Sequence, residues 1–409
     1  MARIAIAGGG IIGLACALRL AGDGHAVTLI DPDPDGDKCS WGNAGGIANT
    51  EVVPASMPGM VWRVPGWLFD PLGPVALRWQ HAPALLPWLL GWLQAGRAGQ
   101  VERIAAALAG LLGRVDADLA PLLAQIGCID DWHRLGALAV YRSAAGLRAD
   151  RAGWALRQCH GIAFDEISGA EARAMEPALD SGIAAGVFMP GWSHVSDPKL
   201  IWAALLAAVR AAGVAVVRSR ATDIARKGRV RLASGREIAC DAVVVAAGAW
   251  SAALARSAGD RVLLESERGY NVTLPDAQVH LSREVIFAER SFVATPLSIG
   301  LRIGGAAEFA GLSAPPNYAR SRALGRLARD YLPGVNLAGG REWMGNRPAT
   351  PDSLPVIGPS PRRADVVYAF GHGHLGLTLA ATTAQLVGDR LSGQPPKLDL
   401  APFSAGRFG

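Results

Sequence analysis

The chain of 409 residues has few cysteines: Cys16, Cys39, Cys128, Cys159 and Cys240. They are odd in number and scattered, and no CxxC pair is among them. That leaves no zinc or iron–sulfur ligand set and no disulfide framework, and points to reduced thiols. Lysine is scarcer still, at four residues, so the net charge of +5 comes mostly from arginine. Those arginines are dispersed and match no nucleic-acid motif, which argues against a nucleic-acid partner. Long apolar runs are missing as well. The best, Ala84 to Leu93, is interrupted by Pro87 and Gly91 and falls short of the roughly 18 to 20 residues that span a bilayer. There is no internal repeat and no low-complexity linker, and the length predicts two domains with ample core.

What is present starts almost at once. Arg3 to Ala7 reads as a short apolar strand, Leu14 to Leu20 as a helix, and Ala26 to Ile30 as a second strand ending on Asp31. Between the first strand and the helix stands Gly8-Gly9-Gly10-Ile11-Ile12-Gly13. This is the dinucleotide fingerprint. Gly8 allows the tight turn, Gly10 lets backbone approach a pyrophosphate at the helix N-terminus, and Gly13 lets helix and strand pack closely. Asp31, eighteen residues past Gly13, stands where a carboxylate accepts from adenosine ribose hydroxyls. An accidental glycine loop would lack both strands and the acid, so the chain is expected to bind an adenine dinucleotide. A strand beginning at Arg3 leaves no room for a signal or transit peptide, and a cytoplasmic location is the expectation.

Further along, Pro32 to Lys38 is an acidic, proline-broken turn, followed by small residues with donors from Cys39 to Gly46. Residues 57 to 95 carry Trp62, Trp67, Trp79, Trp88 and Trp92 among several prolines. Ile104, Leu108, Leu111, Val115, Leu119, Leu122 and Ile126 recur at helical spacing and predict one amphipathic helix over about 100 to 127. Asp197-Pro198 reads as an N-cap and first helical position, opening a helix to about Ala212. A strand from Val214 to Val217, two strands around Gly235, and the apolar run Asp241 to Gly248 follow; the last has the character of a buried parallel strand. Residues 256 to about 340 return to strand-like alternation. The last seventy residues hold an Arg347-Pro348 turn, the strand Val366 to Phe370, and Gly371-His372-Gly373-His374-Leu375-Gly376-Leu377-Thr378 before a helix to about Leu391. A nucleotide domain broken by two insertions fits this order better than two consecutive domains.

Taken in that order, these features resemble the D-amino acid oxidase family of flavoproteins. SWGNAGGIA from Ser40, GALAVYR from Gly136, EPAL from Glu176, ERGY from Glu267 and RIGGAAE from Arg302 are similar to bacterial D-amino acid dehydrogenases. The resemblance implies an α/β fold: an FAD-binding Rossmann-like domain of glutathione-reductase type with an inserted mixed-sheet α+β substrate domain. The FAD domain would comprise residues 1–55, 191–255 and 341–409, and the substrate domain 56–190 and 256–340. It also implies non-covalent FAD. Gly8, Gly10, Ile11, Ile12 and Gly13 would face the pyrophosphate and Asp31 the ribose. Ser40, Trp41, Ala44, Gly45 and Gly46 would line pyrophosphate and flavin. Ala221, Gly248 and Trp250 would close the adenine side. Gly373, His374, Leu375, Gly376, Leu377 and Thr378 would bring a helix N-terminus to the flavin N1/O2 edge, where a positive helix end stabilises a reduced-flavin anion. Relatives with covalent flavin use a cysteine near the Arg347 turn, and this chain has none after Cys240.

Hydride transfer from a substrate Cα to flavin N5 demands little of the side chains beyond orientation. The main requirement is a cation for the substrate carboxylate, best met by an arginine fork. Arg347 matches the family's carboxylate-binding arginine; the bland alternative ties it to Asp352 or Glu342, with Arg268 or Arg302 as other carboxylate sites. Tyr270 either hydrogen-bonds the substrate or is a packed strand tyrosine. His374 and His372 are weaker candidates for a general base than for helix-start geometry or a flavin contact. His194 reads as structural, and Glu51 and Glu267 are weak candidates for an acid that would select a basic substrate.

The expected activity is oxidation of a D-amino or cyclic imino acid to an imine and then a 2-oxo acid, with electrons passed to a quinone or other acceptor. Two alternatives stand beside it: an oxidase for glycine, sarcosine or D-amino acids that makes hydrogen peroxide, and a flavin subunit of a multi-subunit opine or hydroxyproline dehydrogenase, which would have partner subunits. The tryptophan-rich stretch raises peripheral contact with a membrane surface, against the alternative that its rings are core.

Overall fold

A computed structural model describes residues 1–62, 64–70 and 73–409; positions 63, 71 and 72 of the tryptophan-rich stretch lie outside the described residues. Six strands form the nucleotide sheet, in the order Ala215–Arg218, Ala26–Asp31, Arg3–Ala7, Ala242–Val245, Val366–Phe370, Val356–Pro359. The first five run parallel and only the last pair is antiparallel. Such strands are covered on both faces, which is why Val243, Val244 and Val245 are all buried. Alternation along Arg3–Ala7 sorts the two layers. Ile4 and Ile6 pack with the helices Ile11–Gly22, Pro198–Ala211 and Ala380–Leu391. Ala5 and Ala7 face the opposite layer, which holds Val230, Leu232 and Leu254.

The second sheet is mixed. Its path runs Arg341–Ala349, Glu265–Leu274, Gly300–Phe309, Phe292–Leu297, Glu284–Phe287, Ala137–Tyr141, Ala185–Met189, Asp165–Ser168, with Val75–Leu77 also pairing to Gly300–Phe309. Tyr270, Val272, Phe292 and Ile303 pack with Leu324 and Leu327 of the helix Ala319–Tyr331 on one face. Asn271, Val293, Gly304 and Ile286 belong to the other face and line a cavity shared with the glycine loop of the nucleotide sheet.

Three expectations are corrected. The helix predicted over 100 to 127 is two, Ala98–Leu112 and Val115–Gln125. Gly113 and Arg114 turn their N–H groups back to Ala109 and Leu111, and the apolar stripe continues across the break because both helices bury it. Arg347 and Pro348 are not in a turn but in the strand Arg341–Ala349, paired with Glu267 and Ser266. That strand is an edge, where a proline without an N–H costs no ladder bond. The same pairing places residues 341–349 in the mixed sheet, so the stretch returning to the nucleotide sheet starts later than residue 341.

Asp197 accepts from the Lys199 N–H at the start of Pro198–Ala211, as its capping role predicts. Within the tryptophan-rich stretch the rings divide. Trp88 is buried, its indole donating to the Ala349 carbonyl, whereas Trp62 and Trp79 are 84% and 64% exposed. Among the described residues, no helix is long and apolar enough to cross a membrane.

Candidate active site

The glycine loop is shaped by three different constraints. Gly8 has φ +116°, and a Cβ there would lie 2.3 Å from the Ala246 carbonyl oxygen. Gly13 is pressed onto Gly8, with a Cβ falling 1.9 Å from its carbonyl oxygen. Gly10, the N-cap of Ile11–Gly22, meets nothing within 4 Å. Only Gly10 leaves open space, and that space is the cavity. Asp31 closes the base of the loop: one oxygen accepts the Gly9 N–H at 2.7 Å, the other the Asp33 N–H and the Lys38 ammonium at 3.0 Å.

Residues 39 to 48 cross between the two sheets and are held from below. Arg302, buried under them, donates to the carbonyls of Trp41 and Asn43 at 3.0 and 2.6 Å. Burial pushes its guanidinium down to about 10. Asn271 donates to the Gly42 carbonyl, Ser40 Oγ accepts the Ile11 N–H, and the Ala48 N–H reaches Thr378 Oγ1. The loop is thereby fixed before any ligand arrives.

The cavity measures roughly 1190 Å³, larger than the 300 to 1,000 Å³ usual for a drug-sized ligand. It runs from Ala221, Gly248 and Trp250 past Gly8, Gly10, Ile11, Ile12 and Asp31, then past Ser40, Ala44 and Gly46 to Gly373, His374, Gly376 and Leu377. Tyr270 and Arg347 also touch it. The structure thus brings most of the expected residues to one wall system.

Five expected residues do not line it, each for a visible reason. Gly13 serves helix–strand contact. Trp41 turns its ring edge-on to Trp202, 5.0 Å away, under the Lys199 ammonium. Gly45, at φ +99°, backs onto Leu297. Leu375 is core, and Thr378 is buried by its bond to Ala48. The expected helix N-terminus near residue 373 is also corrected: residues 373–374 and 376–379 form turns and the helix starts at Ala380.

Arg347 Nη1 donates to Glu267 Oε1 at 2.8 Å. The acids proposed to tie it elsewhere are taken, Asp352 by Arg407 and Glu342 by Arg322. Arg268 and Arg302 are spent on backbone carbonyls. Tyr270 borders the cavity, and its hydroxyl is engaged within the mixed sheet. Its hydroxyl donates to Glu308 at 2.5 Å and accepts the Asn317 N–H, so its proton is committed to Glu308. His374 is exposed, its carbonyl accepting from Asn43. His372 is buried against Thr383 Oγ1 at 2.9 Å, and burial pushes it down to about 3, which keeps it neutral. His194, pushed down to about 4 by burial, stacks near His133 and plays no part in the cavity wall.

Two cavity residues were given no individual role by the sequence. Cys39 lies near Arg347, its thiol pushed up to about 11 by burial. Glu284 opens the strand Glu284–Phe287, and directly after Arg283 it reads as one more charge at a strand end, which gave no signal.

The fit to a flavin dinucleotide is good on local grounds: an open Gly10 before a helix N-terminus, a fixed carboxylate at the second strand, and a long cavity. Residues 3–390 match the family model described as FAD dependent oxidoreductase. The chain belongs to this family. FAD is therefore its cofactor. Similar curated proteins include a D-amino-acid oxidase of Bradyrhizobium diazoefficiens, 39% identical over 99% of both chains. A D-amino acid dehydrogenase of Rhizobium johnstonii is 30% identical over the whole of both. Among solved structures, glycine oxidase from Geobacillus kaustophilus superposes with a TM-score of 0.74 at 24% identity, over 99% of each chain. L-proline dehydrogenase from P. horikoshii also gives 0.74, at 19% identity over 99% of this chain and 97% of that one. At those identities the structures speak for the fold alone.

Proposed function

We propose that this protein oxidises a D-amino or cyclic imino acid at Cα, using non-covalently held FAD, to an imine that hydrolyses to a 2-oxo acid. The observation that carries the reading is Arg347 on the cavity wall with Glu267 holding only one of its nitrogens. The rest of the fork suits a carboxylate. The relatives' names support an amino acid as its owner. When bound, FAD supplies the hydride acceptor. This chain's residues do the rest: Arg347 orients the substrate, the braced loop 39–48 keeps the approach rigid, and neutral His372 adds no charge of its own to the wall.

For the acceptor, a quinone-type molecule is our first reading. Trp62, Phe69, Trp79, Leu86, Leu90 and Leu93 are exposed together in one stretch, and such a face suits the surface of a membrane in which quinones dissolve. Oxygen is the second reading, favoured by the 39% identity to a protein named as an oxidase. Dye-reduction assays of purified protein with D-, L- and N-substituted amino acids, with and without oxygen, test both. Turnover of D-amino acids with dye and little peroxide is the expected result. Failure of every amino acid to reduce the bound flavin would refute the proposal.

A further inference from the structure

Glu284 is an acid that neither the fold nor the carboxylate clamp explains. It is 3% exposed, yet it lines the cavity beside Glu51, Trp192 and Ile286. A Cβ placed on Gly46 would fall 2.2 Å from its Oε2, so the carboxyl fills the space that glycine leaves. Among the described residues, that oxygen has no hydrogen-bond partner. Trp192 Nε1 and Thr295 Oγ1 face the carboxyl as its polar neighbours, and neither has another partner among the described residues. The neighbouring Glu51 is satisfied by Arg157 at 2.9 Å, whereas no cation pairs with Glu284 among the described residues. Burial pushes its carboxyl up to about 7. A buried carboxyl with two neutral donors and no cation is costly unless something completes it.

Arg347 stands on the edge strand of the mixed sheet, and Glu284 on a strand further across, with the cavity touching both. The cavity therefore has a positive pole and a separate acidic one. We propose that Glu284, with Trp192 and Thr295, receives a cationic group at the end of the substrate side chain, so that the preferred substrates are basic amino acids. An ammonium or guanidinium has only donors. Glu284 and the Thr295 hydroxyl can accept from it, while the Trp192 indole N–H donates to the carboxylate and keeps it ionised. The inference rests on the reading of the site as that of an amino acid oxidoreductase with Arg347 on the carboxylate.

The test uses the FAD-loaded enzyme and its Glu284→Gln variant, each checked for flavin content and reduction potential. Dye reduction compares D-lysine and D-arginine with D-norleucine and D-methionine. Calorimetry compares ε-aminocaproate with caproate, which share a carboxylate and carry no α-amine. Wild type should favour the basic substrates and bind ε-aminocaproate the more tightly. The variant should lower the basic-to-neutral ratio of kcat/KM by roughly 10- to 100-fold and erase the advantage of ε-aminocaproate. An unchanged ratio overturns the proposal, as does a shifted potential with unchanged preference, which would assign the carboxyl to the flavin. The wild-type calorimetry needs no variant: equal binding of the two probes also overturns it. If no amino acid is oxidised but ε-aminocaproate binds through Glu284, the activity reading fails and the cation subsite stands.

Discussion

Arg347 and Glu267 face each other on adjacent strands, Nη1 to Oε1 at 2.8 Å, and the guanidinium occupies the place where a Gly269 side chain would be. The acid fixes one nitrogen, and the missing side chain lets the group lie flat on the sheet. Both conditions are needed to present the remaining edge of the fork to the cavity.

Loss of this arginine should therefore cost catalysis rather than folding. Replacing Arg347 with Met removes a charge-assisted pair with the substrate carboxylate worth about 2 kcal/mol, or roughly 30-fold in kcat/KM. Lys at 347 should recover only part of it, since a point charge cannot reproduce the fork. Gly269→Ala should mimic the loss without changing any charge, because its Cβ would sit 2.4 Å from the guanidinium carbon. Normal kcat/KM with a lowered Tm in these variants would make Arg347 a structural residue. Steady-state kinetics alongside thermal melts decide it.

Two glycines three residues apart should fail in different ways. Gly10 has ordinary backbone angles and open space in front of it, so Gly10→Val is expected to fold yet carry no flavin. Gly13→Val pushes its side chain into the Gly8 carbonyl and should yield little folded protein. Flavin absorbance per polypeptide and circular dichroism separate the outcomes. In wild type, acid or heat should release all of the FAD; flavin that stays with the denatured chain would show a covalent bond.

Stability should fall on the acid side below about pH 6.5. Burial depresses His372 to about 3 and His194 to about 4 in the folded protein, from an ordinary 6.5. Above 6.5 both are neutral, folded or unfolded, and nothing is lost. Below it the unfolded chain takes up protons that the folded one refuses, so unfolding is favoured by up to about 1.4 kcal/mol per pH unit for each histidine. His372→Asn should flatten this acid limb, measured as Tm between pH 7.5 and 5 with FAD in excess. An equally steep limb in the variant would show that His372 titrates normally.

The parts legible in the sequence were those written in local spacing. Gly8, Gly13 and Asp31 carry their geometry in a single contiguous motif, and Asp197-Pro198 announces its own helix. Arg347 was found as a residue but misread as a turn, because the strand that pairs with it is some eighty positions away. The division of labour around Trp41 and Thr378 was hidden for the same reason. Whether such a side chain faces a ligand or braces a loop depends on Trp202 and Ala48, which no spacing rule brings near. Glu284 is the extreme case: its neighbours Gly46, Trp192 and Thr295 come from three separate stretches.

The exposed rings make a last prediction. Trp62 and Trp79 are mostly in solvent, Phe69 is 81% exposed, and Leu86, Leu90 and Leu93 recur along one helix. An indole is comfortable at a lipid interface because its ring is apolar and its N–H stays wet. Vesicles should therefore shift tryptophan emission to the blue and carry the protein down on sedimentation. Replacing Trp62 and Trp79 with Ser should abolish both effects while leaving dye-linked turnover in solution intact, since neither ring lines the cavity. Trp88, tied to the Ala349 carbonyl, should not report on vesicles at all. Unchanged emission and no sedimentation with wild type would mean that this face meets something other than a membrane, and the case for a quinone over oxygen would lose its structural support.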